Sequence, residues 1–291
     1  MNKQQTIGFI GTGVMGRSMA GHLLEAGYTV NVYTRTKVKA ATLIDQGAVW
    51  CDHPSVVAKQ SDVVITIVGY PKDVEEVYLG AEGLLQNGRE GATFIDMTTS
   101  SPVLAKTLYE AGKERGISVI DAPVSGGDIG AKEARLAIMA GGDKAAFLNA
   151  LPILEQLGTN VVYQGGAGSG QHTKMSNQIA IAGTMLGASE SLAYAKAAGL
   201  DPRTVLKSIE TGAAGSWTLT NLVPRMIKED YSPGFFIKHF IKDMKIALDV
   251  AEELNVKTPG LALAHKLYEE LAENGEADSG TQALIKYYLA K

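Results

Sequence analysis

The chain has 291 residues, enough for two domains of ordinary size, and a net charge of −4 without a basic run, which excludes a nucleic-acid binder that works by neutralising phosphates. Apolar stretches are broken by Gly, Lys or Asp well short of the roughly 20 residues a membrane helix needs, and residues 1–5 carry no signal-peptide core, so no membrane partner is expected. Cys51 is the single cysteine, which excludes an internal disulfide, argues against a structural metal site and favours a cytoplasmic location.

In chain order, Thr6–Ile10 reads as a strand, 14–26 as a helix, Thr29–Tyr33 as a second strand and 37–46 as a second helix. The run 63–68 is continuously apolar, as expected for a strand covered on both faces. Short β-branched runs at 93–95 and 119–120 repeat that theme, with helices at 71–77 and 102–115. Strands at 136–140 and 161–163 flank a helix over 143–157. Strands alternating with helices imply βαβ units and a mainly parallel sheet.

After Gly165-Gly166-Ala167-Gly168-Ser169-Gly170 no strand pattern follows. Residues 171–198 read as one long helix with many small residues on its apolar face, suited to close packing by neighbouring helices of this chain or a second one. Asp201-Pro202 and Thr258-Pro259 each open a further helix. The expected architecture is therefore an α/β Rossmann-type N-terminal domain (1–165) followed by an all-α C-terminal domain (166–291).

The strongest local motif is Gly11-Thr12-Gly13-Val14-Met15-Gly16, lying between the first strand and the first helix. In that setting Gly11 permits the tight turn, Gly13 lets the backbone approach a pyrophosphate, and Gly16 lets helix pack closely on strand. The helix N-terminus adds free N–H groups and a positive dipole end. The second strand ends in Tyr33-Thr34-Arg35-Thr36-Lys37, with no carboxylate for a ribose 2′-hydroxyl. Arg35, supported by Thr34, Thr36 and nearby lysines, suits a 2′-phosphate, so NADP is expected as the preferred cofactor with NAD possible.

Further segments complete a pattern: Ile95-Asp96-Met97-Thr98-Thr99, Asp121-Ala122-Pro123-Val124-Ser125-Gly126-Gly127, residues 168–178 (Gly-Ser-Gly-Gln-His-Thr-Lys-Met-Ser-Asn-Gln) and Lys242-Asp243-Met244. With the glycine loop they resemble, in type and order over nearly the whole chain, the β-hydroxyacid dehydrogenase family. That family includes 3-hydroxyisobutyrate dehydrogenases, tartronate semialdehyde reductases and glyoxylate/succinic semialdehyde reductases. The resemblance implies that Lys174 is the catalytic lysine, that Ser125, Gly126 and Gly127 hold a substrate carboxylate, and that Asn177 positions the substrate. It implies cofactor contacts at Thr99 and Lys242, an acidic residue near the site at Asp243, and a homodimer or homotetramer. Several members have a second asparagine after the first, where this chain has Gln178, which places the substrate-facing amide in a different position.

The residue chemistry agrees with those implied roles. Oxidising an alcohol removes a hydride and a proton, and the protein must handle the proton. A lysine can do this when burial or a neighbouring positive charge brings its pKa down from about 10.4. On a helix, Lys174, Asn177 and Gln178 fall at i, i+3 and i+4 and share a face. Ser125-Gly126-Gly127 offers a hydroxyl and unobstructed N–H groups to a small carboxylic acid. His172, His239, Phe235, Phe236 and Trp217 read equally well as pocket or structural residues. The alternatives are a decarboxylating dehydrogenase of the 6-phosphogluconate type, for which the helical half is short, imine reduction, against which Lys174 argues, and a non-catalytic nucleotide-binding regulator.

Overall fold

The computed structural model describes residues 5–290, and it divides into two compact units, one ending at Lys174 and the other starting at Met175. Residues 1–4, where no signal sequence is expected, lie outside the described residues.

The first unit is built on a nine-stranded sheet: β1 (Thr6–Ile10), β2 (Thr29–Tyr33), β3 (Val49–Trp50), β4 (Val63–Thr66), β5 (Thr93–Asp96), β6 (Ser118–Asp121), β7 (Val124–Ser125), β8 (Ala137–Gly141) and β9 (Asn160–Gly165). Its order is β3-β2-β1-β4-β5-β6-β8-β7, with β9 paired to β8. From β3 to β6 all pairings are parallel, whereas β8 runs antiparallel to β6 and β7. Alternate residues face two separate cores. Phe9, Ile65 and Ile95 pack into one, and Ile10, Val64 and Phe94 into the other. Helices cover both faces, which is why these strands read as continuous apolar runs. The strand order reverses direction between β1 and β4, the kind of switch point at whose carboxyl edge open α/β sheets bind their ligands.

Five short pieces of the first unit escape the sequence pattern: β3, β7 and the helices Pro54–Gln60, Leu84–Asn87 and Gly127–Lys132. Each is too short for a periodicity to show. The antiparallel placement of β8 is likewise a tertiary fact, because strand residues do not encode the direction of their neighbour. The sequence puts the change of organisation at 165, and the first compact unit also takes in residues 166–174. The physical reason is local: the first turn of the helix Ser169–Ala197 is hydrogen-bonded to the ends of β5 and β6.

The second unit is helical, with the remainder of that long helix followed by Pro202–Ile209, Trp217–Asn221, Val223–Ile227, Ile237–Glu253, Pro259–Leu271 and Ile285–Leu289. Asp201 caps its helix by accepting from the Thr204 N–H at 3.0 Å. Thr258 stands at the other expected cap without a side-chain bond. The core gathers Met185, Leu192, Phe240, Met244, Tyr268 and Leu284, with Phe240 and Tyr268 edge to face at 5.1 Å. No helix among the described residues is long and apolar enough to cross a membrane.

Candidate functional site

The glycine loop has the geometry its spacing predicts. Gly11 adopts φ +98°, and a Cβ there would lie 2.0 Å from the Ile67 carbonyl oxygen. A Cβ on Gly16 would lie 1.9 Å from the Gly11 carbonyl oxygen, so helix and strand touch through glycine alone. At Gly13 nothing lies within 4 Å of the Cβ position. Gly13 is also the N-cap of the helix Val14–Glu25 and supplies no side-chain cap, so the first N–H groups open into that space. This is a cradle that any side chain would fill, and it fits the pyrophosphate of a dinucleotide. Val14 is exposed and Met15 half-buried beside it. The Thr12 side chain is buried and its hydroxyl has no hydrogen-bond partner among the described residues.

At the end of β2, Arg35 is 76% exposed in its side chain and its Nη1 donates to Asp73 Oδ1 at 3.0 Å. Asp73 lies in the first turn of the helix Pro71–Leu79, where its Oδ2 accepts from the Tyr70 N–H at 3.0 Å. Arg35 therefore keeps Nη2 and Nε for another anion. Lys37 stacks over the Trp50 ring with its ammonium 5.1 Å from the centroid, while Thr34 is half-buried and Thr36 exposed. Sequence reasoning missed Asp73, because a helix-start aspartate looks like an ordinary cap.

The carboxyl ends of β5 and β6 each carry a buried aspartate. Asp96 Oδ1 accepts from the Thr66 hydroxyl at 2.9 Å and the Thr98 N–H at 3.1 Å, and burial pushes its pKa up to about 6 against those bonds. Asp121 accepts from the Gly168 N–H through Oδ1 and the Gln171 N–H through Oδ2, both at 2.8 Å, and burial again raises its pKa to about 6. Gln171, wholly buried, takes the Ser100 N–H at 2.9 Å and donates to the Thr98 carbonyl at 2.7 Å. Thr99 sits half-buried between those two contacts.

Ser125 ends β7, and Gly126 and Gly127 follow at φ +134° and +62°. Both values lie where a side chain would be strained, so the chain bends there through glycine. Three residues after Gln171, Lys174 is 5% exposed.

In the second unit Asn177 Nδ2 donates to Gln178 Oε1 at 2.7 Å, and Gln178 Nε2 donates to Asp243 Oδ2 at 2.7 Å. Lys242 Nζ stands 2.9 Å from Asp243 Oδ1, an ion-pair contact rather than an aligned hydrogen bond. The sequence offers Gln178 and Asp243 as substrate contacts. In the structure they are 0% and 2% exposed and bonded to one another, because the longer glutamine side chain reaches Asp243. Asn177 is half-buried. Of the aromatic candidates, Trp217 is 63% exposed, Phe235 packs on Phe240 and Phe236 on His239. Among the described residues no group of three or more His, Cys, Asp or Glu is placed to hold a metal ion.

Comparison with known proteins gives a consistent result. Residues 6–166 match the NAD-binding domain of 6-phosphogluconate dehydrogenase, and residues 168–288 match the NAD-binding region of NADP-dependent 3-hydroxyisobutyrate dehydrogenase. The chain is 57% identical over 286 residues to an uncharacterized oxidoreductase of Bacillus subtilis, covering 98% of this chain and 99% of that one. It is 39% identical over 280 residues to the 2-hydroxy-3-oxopropionate reductase of Escherichia coli, covering 96% of each. The 3-hydroxyisobutyrate dehydrogenase of Mycobacterium tuberculosis, solved with L-serine, superposes with a TM-score of 0.90 at 28% identity, covering 99% of both chains.

Proposed function

Because the chain belongs to the β-hydroxyacid dehydrogenase family and is a nicotinamide-dependent oxidoreductase acting on the CH–OH group of small hydroxyacids, we propose that it reduces a small semialdehyde acid, reversibly, with Lys174 as general acid/base and NADP(H) as preferred cofactor. The observation that carries the lysine role is its burial, at 5% exposure, one turn along a helix whose first turn is hydrogen-bonded to the sheet. A buried ammonium without work to do is disfavoured by its desolvation cost.

The nicotinamide, when bound, supplies or accepts the hydride. Gly11, Thr12, Gly13, Val14, Met15 and Gly16 would hold its pyrophosphate through backbone N–H groups, and Thr99 and Lys242 would contact it. Arg35, steadied by Asp73 and flanked by Thr34 and Thr36, would take a 2′-phosphate through its remaining donors. Ser125, Gly126 and Gly127 bind the substrate carboxylate by a hydroxyl and N–H groups. Lys174 Nζ gives a proton to the carbonyl oxygen in reduction and removes it from the hydroxyl in oxidation. Asn177 orients the substrate, with Gln178 and Asp243 acting through it. The chain's partners are a small carboxylic acid and further copies of itself, as a homodimer or homotetramer in the cytoplasm.

The test is a spectrophotometric screen of NADPH and NADH against glyoxylate and succinic, tartronate and methylmalonate semialdehydes, with K174M in parallel. Turnover favouring NADPH and lost in K174M is expected. An active K174M variant overturns the lysine assignment, and turnover confined to NADH overturns the cofactor assignment.

A further inference from the structure

Gln171 is an uncharged, fully buried side chain, and a polar group that far from water needs partners within the protein. Its amide behaves as a peptide group inserted beside residues 98–100. It accepts from the Ser100 N–H at 2.9 Å and donates to the Thr98 carbonyl at 2.7 Å, closing a ring around Thr99. Thr98 is fixed in turn: its N–H bonds Asp96 and its hydroxyl accepts from the Val68 N–H at 3.0 Å. The Gln171 backbone is also held, by Asp121 Oδ2 at 2.8 Å, with Gly168 on the other carboxylate oxygen. Glycine at 170 is needed for this approach, since a Cβ there would lie 2.3 Å from the Met139 carbonyl oxygen and 2.5 Å from that of Asp121.

Lys174 follows Gln171 by three residues in the same helix, hence about one turn further along on the neighbouring face. We propose that Gln171 is a positioning residue that locks the loop carrying Thr99 to the helix carrying Lys174, so that the cofactor-contacting loop and the proton-transferring ammonium keep one fixed separation. Asp121 completes the clamp by setting the helix start from the end of β6. This rests on the reading of Lys174 as acid/base. A displacement of the lysine by about 1 Å costs on the order of 100-fold in rate when proton and hydride must move in one geometry. A purely structural glutamine would lower stability and leave the rate of the folded enzyme alone.

The experiment compares wild type, Q171M, Q171E and K174M. Q171M keeps the volume and removes both bonds; Q171E keeps an acceptor for Ser100 and loses the donor to Thr98. The readouts are kcat and KM for the aldehyde acid turned over in the screen, Kd for NADPH by fluorescence titration, and the pH profile of kcat. The expected result is a fall of about tenfold or more in kcat for both glutamine variants, with Kd for NADPH within about threefold of wild type and the kcat profile displaced along the pH axis. Should Q171M not fold, Q171E carries the same reading. Wild-type kcat in either folded variant overturns the clamp, as does a kcat unchanged beside a weakened Kd. An active K174M variant overturns the lysine reading and the clamp with it, whereas an inactive K174M beside a fully active Q171M overturns the clamp alone.

Discussion

The two units hold their functional groups by different means. In the first, position comes from the main chain: glycines that admit a neighbouring carbonyl at 11 and 16, glycine turns at positive φ at 126 and 127, and a carboxylate at 121 that accepts two backbone N–H groups. In the second, Asn177 is held by a relay of side chains through Gln178 and Asp243 toward Lys242. A backbone scaffold tolerates few substitutions, because removing it means moving the chain. A side-chain relay can be retuned one methylene at a time. The first unit thus suits the invariant part of the chemistry, and the second suits the part that differs between substrates.

The largest expected effect breaks the first unit's scaffold. G16A places a methyl against the Gly11 carbonyl and should lose about 3 kcal/mol of stability and nearly all NADPH binding. G13A is its contrast: the added methyl meets no protein atom, so thermal stability should hold while NADPH binding alone falls. Equal melting temperatures for the two variants would show that close helix–strand packing is not what Gly16 supplies. Next, D243A strands the Gln178 amide and removes the carboxylate beside Lys242, and should cost about 3 kcal/mol with kcat reduced. Chemical denaturation and steady-state kinetics measure the two losses.

Asp96 gives an effect of up to about 3 kcal/mol with a definite sign. Its native pKa near 6 exceeds the ordinary aspartate value of 3.8, so the fold favours the protonated form. The associated stability is complete below pH 3.8 and is lost as pH rises through about 6. D96N, which keeps the acceptor for Thr66 and Thr98, should therefore be more stabilised relative to wild type at pH 7.5 than at pH 4.5. A constant difference in melting temperature across that range would contradict the assignment. The smallest effect is Q178N, which shortens the relay and should cost about 1 kcal/mol while raising KM several-fold with little change in kcat. A fall in kcat at unchanged KM would place Gln178 with the reacting atoms instead.

Some of this was legible from residue order alone. The alternation of apolar runs with helical stretches determined the α/β half, because strands buried on both faces leave no polar positions. The glycine spacing determined the nucleotide loop, because steric exclusion at residues 11 and 16 depends on a missing Cβ and shows in any sequence that obeys it. The lysine helix was visible through the resemblance of residues 168–178 to the family's motif, and the i, i+3, i+4 spacing added only that Lys174, Asn177 and Gln178 share a face. Tertiary structure decided what periodicity cannot carry. It set β8 antiparallel to β6, placed Asp73 against Arg35, turned Gln178 and Asp243 toward each other, and joined Gln171 to the backbone around Thr99. Each of these is a contact between residues roughly 20 to 70 positions apart, and such pairings are selected by the packing of whole elements, not by the residues on either side.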